Sequence, residues 1–244
     1  MNLKDFYKGN LFDCYNFFGA HKENDEFIFR TYAPTAKEVM IFGSFNDWKE
    51  EEMKKDEGGI FLFKTNKASF GDMYKYVIYS KDGHRYEHCD PYGFGMELRP
   101  AFASYITDSD EYRFTDERWL KNRTKNFNSP MNIYELHLGS WKTHNNQWYN
   151  YSELADILIP YVKENHYTHI EFMPISEHPA DCSWGYQNTG FFSPTSRYGK
   201  ASQLMELIDK CHNADIGVIL DFVPVHFAVD GYALARYDLS LIHI

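Results

Sequence analysis

The run Gly217-Val218-Ile219-Leu220 carries no polar side chain and delivers Asp221 at its end. A strand apolar on both faces is one buried on both faces, as in a parallel sheet covered by helices. A helical run from Ala201 to Asn213 precedes it, with Leu204, Leu207, Ile208 and Cys211 at helical spacing. Upstream, Thr168 to Met173 reads as another strand and closes on Pro174-Ile175-Ser176-Glu177-His178-Pro179. Between strand and helix lies a polar, aromatic loop from Asp181 to Pro194. Polar residues gathered at the ends of parallel strands are where such a sheet displays a site. The stretch from Phe172 to Phe227 therefore constrains the rest of the chain.

The same pattern begins earlier. Ile133 to Leu138 is a strand, and Asn150 with Glu153 forms a capping-box start to a helix that buries Leu154, Ile157, Leu158, Tyr161 and Val162. Pro160 falls inside that helix, where a proline costs about 3 kcal/mol, so a kink is expected there. Strand starts at 133, 169 and 218 are 36 and 49 residues apart, room for right-handed crossovers with insertions.

Residues 26–107 follow another rule: short alternating runs broken by turn residues. Phe27–Tyr32, Glu38–Gly43, Gly59–Phe63, Tyr74–Tyr79, His84–His88 and Ala103–Ile106 make about six strands with no helix between them, an antiparallel β-sandwich. Residues 1–25 read as an aromatic lead-in, and the charged stretch 108–130 as a linker. The second domain then spans 131–238.

A net charge of −10 and a pI near 5.5 argue against nucleic acid or an anionic membrane as partner. Cys14, Cys89, Cys182 and Cys211 are scattered without a C-x-x-C pair, as in a reduced, cytoplasmic protein. No signal peptide is expected from the opening residues, and no run approaches the roughly 20 apolar residues of a membrane span. Aromatic residues reach 18%, which suits either a ring-rich core or stacking platforms for sugar rings. Glu135, His137, Glu177 and His178 fit no common metal-ligand spacing, and no metal or cofactor is expected. Alternation puts Glu135 and His137 on one face of their strand, toward a barrel interior.

At these motifs the chain resembles the 1,4-α-glucan (glycogen) branching enzymes of the α-amylase superfamily. The residues that carry the resemblance are 133–141 (Ile-Tyr-Glu-Leu-His-Leu-Gly-Ser-Trp), 173–179 (Met-Pro-Ile-Ser-Glu-His-Pro), 183–190 (Ser-Trp-Gly-Tyr-Gln-Asn-Thr-Gly) and 218–227 (Val-Ile-Leu-Asp-Phe-Val-Pro-Val-His-Phe). Residues 27–107 resemble the glycogen-binding-type module of the same enzymes through Ala33-Pro34-Thr35-Ala36, Gly43-Ser44-Phe45-Asn46-Asp47-Trp48 and Asp90-Pro91-Tyr92.

The resemblance implies a retaining transglycosylase that cleaves an α-1,4 glucan and passes the piece to a sugar 6-hydroxyl, with glycogen as partner. It implies the fold as well: a sandwich followed by the first βα units of a TIM barrel, stopping after about three strands. Retaining chemistry needs two carboxyl groups about 5 Å apart. In the family both come from later barrel strands, so no catalytic nucleophile or acid is expected among these residues. By the same likeness Tyr186 stacks on the sugar being cleaved, Asp221 orients the reacting centre and His226 hydrogen-bonds a hydroxymethyl group. Gln187 and Trp184 flank Tyr186 as weaker candidates, and Trp48 matches a glucan-contact position in the module.

Asp215 stands where the family has glycine after the helix, and residues 239–244 match nothing in it. The expectation is an amino-terminal fragment, inactive alone. The rival readings are another superfamily enzyme with the same front module, such as a trehalose-forming hydrolase or a debranching enzyme, and a non-catalytic glucan-binding protein.

Overall fold

The structure, a computed structural model, describes residues 2–56, 58–123 and 128–239. The expected linker therefore lies partly outside the described residues, and so does nearly all of the non-matching tail. Helix α1 (Leu3–Tyr7) leads into strand β1 (Gly19–Glu23), followed by β2 (Glu26–Tyr32), β3 (Glu38–Gly43), β4 (Glu51–Glu52), β5 (Lys54–Lys55), β6 (Ile60–Thr65), β7 (Met73–Tyr79), β8 (Arg85–His88) and β9 (Ser104–Tyr105). These build two antiparallel sheets, ordered β1-β2-β6-β5 and β4-β3-β7-β8, with β9 also on β7. Phe27, Phe29, Val39, Ile41, Tyr74, Tyr76 and Ile78 alternate inward from the two sheets and meet in one core. The sandwich thus forms from the alternation seen in the sequence.

The stretch read as a lead-in supplies the edge strand β1, paired antiparallel to β2 from Gly19↔Arg30 to Glu23↔Glu26. Gly-Ala-His-Lys-Glu has no β-branched residue, so its strand state comes from pairing rather than propensity. Buried deeper is Asp90, fully enclosed, which accepts hydrogen bonds from the hydroxyls of Tyr74 and Tyr76 at 2.6 and 3.1 Å.

The second domain carries β10 (Ile133–Leu136), helix α3 (Leu138–Trp141), the hairpin β11 (Thr143–His144) and β12 (Gln147–Trp148), α4 (Tyr151–Glu164), β13 (His169–Phe172), the pair β14 (Ser176–Glu177) and β15 (Gly190–Pro194), α5 (Ala201–Asn213) and β16 (Gly217–Leu220). Strands β10, β13 and β16 are parallel neighbours in that order, with Glu135 opposite Glu171 and Glu171 opposite Ile219. Leu136, Ile170 and Phe172 on the other face pack against Leu154, Leu158, Val162, Leu207 and Cys211 of the helices. Burying a Leu of this kind is worth about 1.5–3 kcal/mol.

Strand β10 ends sooner than expected: His137 is the N-cap of α3, and Leu138 is a buried residue of that short helix. The capping box of α4 forms, Asn150 Oδ1 accepting from Glu153 N–H at 2.8 Å and Glu153 Oε2 accepting from Asn150 N–H at 2.9 Å. Helix α4 continues through Pro160 to Glu164, its apolar face held by the core on both sides of the proline. Asp215 adopts φ +61°, the left-handed conformation that its family glycine would take.

Between the domains, helix α2 (Glu117–Asn122) and its approach are tied to α5. Buried Asp209 accepts from Tyr112 Oη at 2.7 Å, Thr115 N–H at 2.9 Å and Thr115 Oγ1 at 2.8 Å. After β16 the chain turns back onto the sandwich. Cys89 N–H donates to Tyr232 O at 3.0 Å, His88 Nδ1 lies 3.1 Å from Ala233 O, and Tyr237 enters the sandwich core with its hydroxyl 2.7 Å from Thr31 Oγ1. Tyr237→Ala is expected to destabilise the sandwich by about 3–5 kcal/mol, as loss of a buried aromatic ring does, and Tyr237→Phe by about 1 kcal/mol. Urea unfolding followed by circular dichroism measures both; an unchanged midpoint for Tyr237→Ala would show that the ring does not belong to that core.

Candidate functional site

Strands β13 and β16 end side by side, and the ladder runs one residue past β16: Asp221 N–H donates to Phe172 O at 3.0 Å. Alternation places Asp221 on the same face as Ile219, in the rows that hold Glu135 and Glu171. The loop after β14 lays Tyr186 across this end, where its hydroxyl donates to Asp221 Oδ2 at 3.2 Å. Two residues singled out in the sequence, Tyr186 and Asp221, are thus brought together. Burial first, then the hydrogen bond to Asp221 and the charges of Asp221, Glu135 and Glu171, push the Tyr186 hydroxyl above its ordinary pKa. It stays a donor throughout the neutral range.

The loop reaches this position through its glycine. Gly185 has φ +86°, and a Cβ there would lie 2.1 Å from the carbonyl oxygen of Pro174. Only a residue without a side chain lets the loop press against the end of β13. Trp184, beside it, also takes a left-handed conformation at φ +53°. Its ring lies over the His137 imidazole, centroids 5.9 Å apart at 26°, and is 51% exposed. His137 Nδ1 is 3.0 Å from Ser140 Oγ, and burial lowers the imidazole's pKa.

Asn188 joins this loop to the segment after β16. Its Nδ2 donates to Val223 O at 3.2 Å and His226 O at 3.5 Å, and its backbone carbonyl oxygen accepts from Ala228 N–H at 2.8 Å. Gln187 and His226 themselves are exposed at the same end of the sheet. Trp48 lies apart, on the sandwich. It follows β3 at φ +56°, is 41% exposed, and sets its indole edge-on to Phe42 with centroids 5.5 Å apart.

Beneath the aromatic loop is a charge network that the sequence reading did not single out. Glu177, 3% exposed, accepts hydrogen bonds from Arg197 Nη1 (2.8 Å), Thr195 Oγ1 (3.0 Å), His178 N–H (3.0 Å) and Ser196 N–H (2.7 Å). Burial pushes its carboxyl up, while these donors and the guanidinium pull the other way. Arg197 also donates through Nε to Asp181 Oδ1 at 2.8 Å and through Nη1 to the carbonyl of His178 at 2.8 Å. From the connection between β8 and β9 of the sandwich, Arg99 grips the same Asp181 with Nε at 2.7 Å and with Nη2 on the second oxygen. Hydrogen bonds from Arg99 and then Arg197 hold the Asp181 carboxyl at about 2. His178 is driven to about 4, by burial above all. Among the described residues no three His, Cys, Asp or Glu side chains gather as a metal site. No helix among them is long and apolar enough to cross a membrane.

Arg99 and Arg197 have no local signature, because their partners come from distant segments. A lone arginine in Thr-Ser-Arg-Tyr or Leu-Arg-Pro reads as surface.

The sandwich and the parallel sheet each match a known family. Residues 17–93 match the family model of carbohydrate-binding module 48 (isoamylase N-terminal domain), and residues 153–236 match the α-amylase catalytic domain. The chain is similar to the 1,4-α-glucan branching enzyme GlgB of Francisella tularensis subsp. tularensis strain SCHU S4, at 46% identity over 96% of this chain and 38% of that protein. It is 45% identical to the branching enzyme GlgB of Fusobacterium nucleatum subsp. nucleatum, over 96% of this chain and 39% of that one. The pullulanase of Paenibacillus barengoltzii, solved with maltohexaose and α-cyclodextrin, superposes with TM-score 0.74 at 22% identity over 96% of this chain and 43% of its own. The pullulanase of Bacillus acidopullulyticus gives TM-score 0.66 at 21% identity over 87% and 30%. At such identity the likeness to pullulanases is one of fold. Over the residues it spans, the chain belongs to the branching-enzyme family of the α-amylase superfamily, and it spans about two fifths of the length of these curated relatives.

Removing the inter-segment clamp has a readable consequence. Asp181 titrates in the fold at about 2 against an ordinary 3.8, so its stabilising contribution is present above pH 3.8 and fades as pH falls toward 2. Arg99→Ala is expected to move the Asp181 midpoint up toward 3.8, as read by carboxyl-carbon NMR; a midpoint that stays near 2 would mean Arg197 alone holds it.

Proposed function

We propose that this chain forms the glucan-binding module and the donor-side wall of the active site of a 1,4-α-glucan branching enzyme. The observation that carries this is the pairing of Tyr186 with Asp221 at the ends of β13 and β16, in a chain with branching-enzyme identity throughout. A phenol ring covers an apolar sugar face, and a carboxylate and an imidazole address its hydroxyls. Tyr186 is the stacking platform, Asp221 the hydroxyl acceptor that fixes the reacting sugar, and His226 the donor to its hydroxymethyl group. Gln187 and Trp184 border the same surface, and Trp48 offers a separate glucan contact on the module. A cytoplasmic location goes with this reading, supported by thiols spread singly through the chain.

The chemistry is glycosyl transfer with retention. One carboxylate attacks the anomeric carbon as the α-1,4 bond breaks, and a second carboxyl group protonates the departing oxygen. The acceptor's 6-hydroxyl then displaces the enzyme, giving its proton back to the second group. The two carboxyl groups that do this come from further barrel strands, and the residues described here bind and orient.

A chain extended to the length of the relatives is expected to create α-1,6 branches in amylose, detected by debranching and chain-length profiling. Asp221→Asn in that protein should lower kcat about 100-fold, the size of effect that a misplaced reacting geometry produces. The 244-residue chain alone is expected to make no branches. Branches from the short chain, or hydrolysis without branching from the long one, would refute the assignment.

A further inference from the structure

The connection between β8 and β9 belongs to the sandwich, yet it is bonded to both ends of the excursion that carries Tyr186. At one end Ser196 Oγ donates to the carbonyl of Met96, and at the other Arg99 meets Asp181. The connection is closed on itself, Glu97 N–H donating to Ala103 O at 2.8 Å and Ala103 N–H to Glu97 Oε2 at 2.9 Å. Arg99 therefore projects from a braced loop. Its Nε donates to Asp181 Oδ1 and its Nη2 to Oδ2, a two-point contact that fixes angle as well as distance. Arg197 reaches Oδ1 alone. Without Arg99 the Asp181 carboxylate keeps its arginine contacts on one oxygen and is free to turn about it.

Asp181 opens a short turn whose hydrogen bonds lead to the donor surface. Trp184 N–H donates to Asp181 O at 3.3 Å, Ser183 Oγ to Ala180 O at 2.8 Å and Tyr186 N–H to Ser183 O at 3.0 Å. The Tyr186 hydroxyl then reaches Asp221 Oδ2 at 3.2 Å. We propose that Arg99 is a positioning residue for Tyr186: through this one side chain the sandwich sets where the ring stands over Asp221. Its effect on turnover rests on the branching reading given above, while its effect on the ring's position does not.

The first test follows the tyrosine Cζ carbons of the 244-residue chain by NMR through alkaline pH, the Tyr186 signal being the one lost in Tyr186→Phe. Burial and the bond to Asp221 hold this hydroxyl above its ordinary 10. In Arg99→Met its midpoint is expected to fall toward 10, and in Arg99→Lys, a point charge in place of a fork, to fall part of the way. An ion pair with side chains 36% and 46% exposed contributes little to stability, so both variants should melt near the parent. If Arg99→Met melts early, Arg99→Lys decides. A Tyr186 midpoint that does not move overturns the proposal.

The second test is branching of amylose by the chain extended to the length of the relatives. Arg99→Met is expected to lower kcat/KM about tenfold, and to lower it no further in a Tyr186→Ala background, because residues acting through one contact are not additive. A loss that adds in full to that of Tyr186→Ala overturns the proposal. An extended wild-type chain that makes no branches overturns the branching reading alone, and the Tyr186 titration still decides the role of Arg99.

Discussion

The guanidinium of Arg197 is enclosed between Glu177 and Asp181, its side chain 1% exposed. A buried charge is tolerable only when paired, and removing one partner of such a pair costs about 3–5 kcal/mol. Here the pair sits at the base of the β14–β15 excursion, whose outer loop carries Trp184, Tyr186, Gln187 and Asn188. Glu177 holds the start of the excursion, Asp181 the turn below Trp184, and Arg197 the return into α5. The loop residues that face the sheet end thus inherit their positions from a cluster that touches none of the expected ligand surface. Arg99 extends the cluster to the β8–β9 connection of the sandwich, which makes the domain seam part of the same support.

Much of this was readable in advance. The alternation of Phe27–Tyr32, Glu38–Gly43 and Tyr74–Tyr79 produced their strands, because each run is long enough for its inward side chains to define a face. The cap at Asn150, the helix from Ala201 to Asn213 and the apolar strand before Asp221 formed where local chemistry put them. Tyr186 and Asp221 were identifiable by motif and meet in space. His226 and Gln187 share that end of the sheet with exposed side chains.

What stayed hidden depended on contacts between distant residues. Strand β1 has no strand-like composition and exists because β2 offers an edge. Strand β10 stops at Leu136 because Leu138 finds its burial in a helical turn, a choice that apolar character alone does not record. Arg99, Asp181 and Arg197 look like ordinary surface charges until the fold brings them together. Strand β16 is last in the order of the three-stranded sheet, and Leu220 and Phe222 stand 48% and 61% exposed at that edge.

The return of residues 228–239 to the sandwich gives the first domain a discontinuous definition. Its core contains Tyr237, contributed from beyond the third strand of the second domain, and its β8 strand is flanked by the backbone of Tyr232 and Ala233. Cut at the sequence boundary, the module would lose a side chain from its interior. Evolution and engineers alike would then find this front module poorly portable: exchanging it between relatives as one contiguous cassette separates a socket from its plug. The pairing of Thr31 with Tyr237 ties substitutions in one domain to those in the other, so the two stretches are expected to vary together.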